Sequence, residues 1–339
     1  MKQIDNVFLE NLTYDNLYRA FIISKRCKSL KRNVIYYDLK YEYHLKDTLK
    51  KLKEGNYNFG KYNKFKVYEP KERIILSAPF KDRVVHTFLV KNFLEPYFVP
   101  MFINTSYACI KGKGMHKCAL DVKRAIYNIS KKWENAYIIK MDVSKFFYNI
   151  DRDILFDIIS RKIIDKKLLE VLKKVIYIED DYGVLNGLGI PIGNYTSQIF
   201  ANIYLNEVDW YIKRDLKCKY VYRYMDDSIV ICENKEEAQE KLKLIEKFYN
   251  EKLHLKLNKK TQIFKVGQGV NFCGYKIFIG KMKLRNKGKT KLKRKMKKVQ
   301  ELLKRKEISV AEAKMMLTGH VGYIKYSDSD NLIKKVFGF

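Results

Sequence analysis

The chain has 339 residues, 47% of them apolar, 14% aromatic and 32% charged, and its 69 Lys and Arg against 38 acids give a formal net charge of +31. The apolar share supports a sizeable core and argues against a disordered chain, and the length predicts two or three subdomains. So large a cationic excess, with many rings able to stack on bases, points to nucleic acid ahead of an anionic membrane as the partner.

The six cysteines (27, 109, 118, 218, 232 and 273) form no CxxC pair, so neither a zinc site nor a disulfide framework is expected. Free thiols fit a reducing cytosol. The first residues lack the apolar core of a signal peptide, and no stretch reaches the roughly 18–20 apolar residues of a membrane span. The expected location is the cytoplasm, with no membrane partner.

In chain order, residues 1–55 predict helices, the last ending near Gly55. The alternating run "KFKVYEPKERIILSAPF" predicts a hairpin or extended segment, and "KDRVVHTFLVKNFLEPYF" a helix up to Pro96. "GKGMHKCALDVKRAIYNIS" begins with glycines and continues as a helix. Tyr137 to Asp142 predicts a short strand, and 152–177 is helical again. "GLGIPIGNYTSQ" is a glycine-rich turn feeding a helix that starts near Tyr195 or Thr196. "KYVYRYMDDSIVIC" predicts a hairpin with Asp226 and Asp227 at its tip, followed by a charged helix. "LKLNKKTQIFKV" and "VNFCGYKIFIG" predict one strand each. From Lys281 to Lys306 there are 14 Lys or Arg and one acid, Glu301.

Adjacent carboxylates inside an apolar β-run are costly unless compensated. Asp is also a common turn residue, so the pair alone could be a solvated tip. A second strand-end acid, Asp142, changes the balance, because neighbouring strands lie about 4.8 Å apart. Pairing would bring Asp142 and Asp226 to one cation, and hard oxygen ligands favour Mg²⁺ or Mn²⁺. The turn 187–198 allows close backbone approach and opens a helix, which suits phosphate, although many βα turns look alike. Phe147 follows Asp142 by five residues and either presses on a nucleotide sugar or joins Phe146 in the core. Lys66, Lys71, Arg73 and Arg83 are either a triphosphate clamp or ordinary surface charges. The 281–306 segment is either a duplex-backbone binder or a solvated lysine-rich helix. No histidine pair has ligand spacing, and neither GxSxG nor a Walker A sequence is present.

Taken in order, "YIIKMDVSKFF", "GIPIGNYTSQIFANIYL", "YRYMDD", "LNKKT" and "FCGY" resemble the successive palm motifs of a reverse transcriptase, over roughly residues 60–280. The segments "FKDRVVHTFLVKNFLEPYF" and "SYACIKGKGMHKCAL" are similar to the group II intron-like bacterial lineage. Within it the chain most resembles the enzymes of diversity-generating retroelements. The usual QGxxxSP box reads Ile192-Gly193-Asn194-Tyr195-Thr196-Ser197-Gln198, with Ile for Gln and Gln for Pro. That departure is the pattern of the diversity-generating group.

The resemblance implies an α+β right-hand polymerase fold. Residues 1–135 would hold an N-terminal extension and fingers, 136–280 the palm (with helices of 152–186 inserted), and 281–339 a basic helical thumb. It implies two Mg²⁺ ions, Mn²⁺ being the alternative, held by Asp142, Asp226 and the carbonyl of Val143, with Asp227 in support. Phe147 resembles the sugar gate. Arg73, with Lys66 or Lys71, resembles the triphosphate clamp. Ile192 and Gly193 would underlie the templating pair, Lys260 would protonate pyrophosphate, and Phe272, Cys273, Gly274 and Tyr275 resemble the primer grip. Implied partners are an RNA template, a DNA or RNA primer, dNTPs and a small basic accessory protein, with oligomerisation open. The implied activity is RNA-directed DNA synthesis, with adenine miscopying in mutagenic retrohoming. A defence-associated or abortive-infection reverse transcriptase is the alternative.

Overall fold

A computed structural model describes residues 3–68, 72–178, 183, 187–329, 331 and 334. The chain divides into two compact units. The first comprises residues 1–103, 143–210 and 246–256, and the second 104–142, 211–245 and 257–339.

The first unit is mainly helical. Tyr14–Lys25 is started by the Thr13 hydroxyl, which accepts from the Asn16 N–H. Its buried Leu17 and Phe21 share the unit's core with Val84 and Phe88 of the helix Phe80–Leu89. Phe8, Phe88 and Phe93 meet edge to face or tilted, a geometry that adds to area burial. Strands β1 (Asn63–Val67) and β2 (Arg73–Ser77) form the expected hairpin, with Val67 opposite Arg73 and Phe65 opposite Ile75.

One expectation changes at Pro96. The helix does not stop there but passes through a π-turn at Val90–Leu94 and resumes at Glu95–Phe98. The Glu95 N–H reaches back to the Val90 carbonyl, and that extra residue per turn places the proline in a fresh first turn, where its missing N–H costs little.

The second unit is built on a four-stranded antiparallel sheet, in the order β4 (Tyr220–Tyr224), β5 (Asp227–Cys232), β3 (Tyr137–Asp142), β6 (Gln262–Lys265). Ile138, Tyr222, Ile229 and Ile231 pack in one core with Val122, Ala125 and Ile126 of the helix Met115–Ser130. "VNFCGYKIFIG" is not one strand. It folds back as β7 (Val270–Phe272) and β8 (Tyr275–Ile277), and β9 (Met282–Leu284) completes a second sheet. Cys273 and Gly274 both take positive φ, 47° and 85°, as tight hairpin turns require. The helix Asn286–Lys304 follows, then Val310–Lys325 behind a capping box between Ser309 and Glu312.

Among the described residues, no helix is long and apolar enough to cross a membrane.

Candidate active site

In the second unit, β3 and β5 pair so that Asp142 lies directly opposite Asp227. Asp226 sits beside it in the turn that joins β4 to β5, and all three acids are partly exposed. Lys140 shares the face of Asp142, two residues back, and its Nζ stands 3.3 Å from Asp227 Oδ1. Burial pushes the Asp227 carboxyl up to about 6; Lys140 opposes the rise, and the charges of Asp142 and Asp226 add to it. The sheet therefore gathers three mutually repelling acids, and the Lys140 ammonium beside Asp227 offsets part of that repulsion. Among the described residues no three acid, His or Cys side chains already form a metal cage.

Three features hold this edge of the sheet. Met225 at the tip has φ 56°, a left-handed conformation that costs roughly 1–2 kcal/mol for a residue other than glycine. Arg223, 1% exposed, donates from Nη1 to the Met225 carbonyl at 3.1 Å. The Arg223 backbone is in turn clasped on the outer side of β4, its N–H donating to Thr105 O and its carbonyl accepting from Tyr107 N. On the β3 side, the Asn258 N–H donates to the Asp142 carbonyl at 2.7 Å. Asn258 also accepts from Lys260 N through its side chain and from Thr261 N through its carbonyl. Lys260 is thus exposed on a turn anchored to the backbone of Asp142.

The second unit also carries the FCGY turn. Phe272 and Tyr275 are fully buried, so only Cys273 and Gly274 reach the surface. The Tyr275 hydroxyl donates to the Tyr323 carbonyl and lies 2.7 Å from His116 Nδ1. A β-carbon on Gly274 would stand 2.8 Å from the Tyr323 ring. The turn is therefore seated on the helix Val310–Lys325. In the helix Asn286–Lys304, Leu292, Met296 and Val299 are buried, while Lys293, Arg294, Lys297 and Lys298 are exposed. Its cations share one solvent face with a single acid, Glu301.

The first unit holds the other predicted residues. Lys66 and Arg73 are both exposed on the β1–β2 hairpin, and Lys66 Nζ pairs with Glu72 at 2.7 Å. Lys71 lies outside the described residues. Arg83 is engaged internally, donating to the Ala78 carbonyl and the Ser77 hydroxyl. Of the paired rings, Phe146 is buried and Phe147 half-buried. Val143 is buried. Gly193 has φ 111°, and a β-carbon there would stand 3.1 Å from Ile75 Cγ2. Ile192, half-buried, precedes it. Arg73 and Ile75 share one face of β2 by strand alternation, so the clamp candidate and the IGN turn border the same surface of this unit.

Sequence reasoning passed over Lys140, Arg223 and Asn258. Lys140 could have been found from its i−2 spacing to Asp142. Nothing local marks Arg223 as buried, since arginine is mostly exposed. Asn258 holds Asp142 through its backbone N–H, which composition does not reveal.

The reverse transcriptase (RNA-dependent DNA polymerase) family model matches residues 62–277, more than half of the chain. Among relatives, the group II intron-encoded protein LtrA of Lactococcus lactis subsp. cremoris is 26% identical over 182 residues, covering 52% of this chain and 29% of its own length. A 91 kDa protein in the cob intron of Schizosaccharomyces pombe is 26% identical over 181 residues, 52% of this chain and 21% of that protein. Protein YkfC of Escherichia coli is 26% identical over 154 residues, 43% of this chain and 40% of its own. The chain thus spans less than a third of the length of LtrA and of the cob-intron protein. A truncated apo telomerase from Candida tropicalis aligns with a TM-score of 0.44 and 16% identity, over 69% of this chain and 58% of that one. With the family match spanning β1 through β8, the chain belongs to the reverse transcriptase (RNA-dependent DNA polymerase) family and has its α+β right-hand polymerase fold.

Proposed function

We propose that the protein copies RNA into DNA by nucleotidyl transfer at Asp142, Asp226 and Asp227. The observation that carries this reading is the register that sets Asp142 opposite Asp227 beside Asp226 at a hairpin tip. The donors there are hard oxygens, and burial, with their mutual repulsion added, lifts the Asp227 carboxyl, so they suit Mg²⁺, or Mn²⁺ in its place. Mg²⁺ commonly takes only one or two protein carboxylates and completes its shell with water and phosphate. Asp142 and Asp226 would hold the ions, helped by the Val143 carbonyl, while Asp227, tied to Lys140, supports them. Bound there, paired metal ions supply charge for the attacking 3′-oxygen and the leaving pyrophosphate.

The remaining assignments follow from exposure and chemistry. Arg73 is the better triphosphate clamp, because Lys66 is occupied by Glu72, and a guanidinium fork suits phosphate. Phe147 excludes a ribose 2′-hydroxyl. Ile192 and Gly193 form an apolar floor under the templating pair. Lys260, exposed, donates a proton to pyrophosphate. The backbone of Cys273–Gly274 touches the primer, with Phe272 and Tyr275 as its anchors. The exposed cations of Asn286–Lys304 track a duplex backbone. Replacing Lys293, Arg294 and Lys297 with Ala should lower the slope of log K against log salt by up to about 2–3 for a primer–template duplex, as each lost phosphate contact removes roughly 0.7–0.9. An unchanged slope in filter binding would remove the segment from the duplex interface.

The finer reading is an error-prone enzyme of the diversity-generating type, working with a small basic accessory protein. It is supported by Ile192, which offers the nascent pair shape but no hydrogen bond. Relatives named as intron-encoded proteins support the wider group II intron-like lineage. The test is to sequence cDNA made in cells and in vitro, with wild type and Ile192→Gln. We expect substitutions concentrated at template adenines in the wild type, and a several-fold change on restoring a side chain that hydrogen-bonds, since polar contacts discriminate more sharply than apolar ones. Error spectra that are flat and equal in the two enzymes would reject adenine mutagenesis and favour a defence-type or other reverse transcriptase.

A further inference from the structure

The glycine-rich turn meets the Phe147 segment backbone to backbone. Gly189 has φ 77°, and a β-carbon on it would stand 2.7 Å from the carbonyl oxygens of both Phe147 and Tyr148. No side chain larger than hydrogen fits without moving one of the two segments. Two hydrogen bonds lock the approach. The Gly189 N–H donates to the Ile150 carbonyl at 2.7 Å, and the Ile190 N–H to the Phe147 carbonyl at 2.8 Å.

The other side of the turn is gripped by Arg152, which is 8% exposed. Its Nε donates to the Gly189 carbonyl at 2.8 Å, Nη1 to the Ile178 carbonyl at 3.3 Å and Nη2 to the Leu188 carbonyl at 3.4 Å. Arg152 is also the first residue of the helix Arg152–Ser160, whose N-terminus is fixed by the Asp151 side chain on the N–H groups of Asp153 and Ile154. A planar fork with several donors can hold successive carbonyls at once, which lysine cannot. From the other direction the Tyr148 hydroxyl donates to the Ile74 carbonyl of β2 at 3.1 Å. The short helix Phe146–Asn149 is therefore held between β2 and the Gly189 turn.

We propose that Arg152 and Gly189 are positioning residues for sugar selection: through the Gly189–Phe147 backbone contact they set where the Phe147 ring stands. The inference rests on reading Phe147 as the sugar gate. Neither residue touches the nucleotide. A gate that separates hydrogen from hydroxyl works over less than an ångström, and a misplacement of about 1 Å can cost as much as 100-fold. Their effect therefore falls on the choice between dNTP and rNTP rather than on synthesis alone.

The test measures kcat/KM for dNTP and rNTP insertion on an RNA template with full-length wild type, Phe147→Ala, Arg152→Lys, Gly189→Ala, and Arg152→Lys combined with Phe147→Ala. Phe147→Ala should admit rNTPs. Arg152→Lys and Gly189→Ala should each reduce the dNTP/rNTP ratio about tenfold, within the range set by sub-ångström misplacement. In the Phe147→Ala background Arg152→Lys should leave the ratio unchanged, because the residue it positions is gone. Arg152→Lys keeps the buried charge and is the gentler variant, so it decides the question if Gly189→Ala does not fold. Equal losses for both nucleotides, with the ratio preserved, would show a merely structural role and overturn the proposal. If Phe147→Ala itself leaves selection intact, the gate assignment falls and the positioning role with it. A relaxed Phe147→Ala beside unaltered Arg152→Lys removes only the positioning role.

Discussion

Asp226→Ala is expected to abolish Mg²⁺-dependent primer extension with dNTPs on RNA, by at least about 10³-fold, while RNA binding stays close to wild type. The loss follows from position. Asp226 stands in the turn beside a cross-strand acid pair, and removing one member of a small oxygen donor set takes away charge that is needed only when the attacking and leaving oxygens develop theirs. Binding should survive because the protein carries a net charge of +31 and phosphate neutralisation by Lys and Arg governs affinity. Deleting a carboxylate from such a surface should, if anything, tighten RNA slightly. Asp142→Asn should behave alike, since Asp142 projects from the neighbouring strand end. Single-nucleotide extension on a labelled primer, with filter binding in parallel, makes the comparison. Extension by Asp226→Ala near the wild-type rate would refute the metal assignment, whatever the affinity did.

Arg223→Met should carry the second large effect, this time on folding and catalysis together. The side chain is fully buried and bonds the carbonyl of Met225, which is held left-handed at the tip that bears Asp226. Methionine restores volume but no donor, leaving that carbonyl without this bond and the turn free to relax. We expect a loss of about 2–4 kcal/mol by urea denaturation, the scale for breaking a buried charged hydrogen bond. A fall in kcat should exceed the fall in RNA affinity. Arg223→Lys should recover only part, because an ammonium lacks the guanidinium's planar geometry. A variant with wild-type stability and kcat would show that the turn holds its shape without this bond.

The two variants probe different kinds of information. Asp142, Asp226 and Asp227 were legible in the sequence because strands have a period of two and an acid pair inside an apolar run is an anomaly. Helices were legible for a similar local reason: apolar spacing acts within a few residues, as do the caps Thr13 and Asp151 that the structure adds. The Pro96 boundary and the FCGY hairpin were not. A π-turn two to six residues upstream rescued the proline, and a left-handed Cys273 made a turn where alternation read as continuous strand. That Lys66 pairs with Glu72 across the hairpin was not legible either.

By itself, then, the sequence determined the palm motifs, their order, the basic final segment and the family they resemble, since each is set by residues close along the chain. Only the tertiary structure decided that Asp142 faces Asp227, that Lys140 offsets them, that Arg223 and Arg152 are interior carbonyl-binding cations, and that Gly189 lies against the backbone of Phe147. Those relations join residues from 2 to 87 positions apart. What sets the longer ones is the space left when strands pair and cores close, and no local pattern records that.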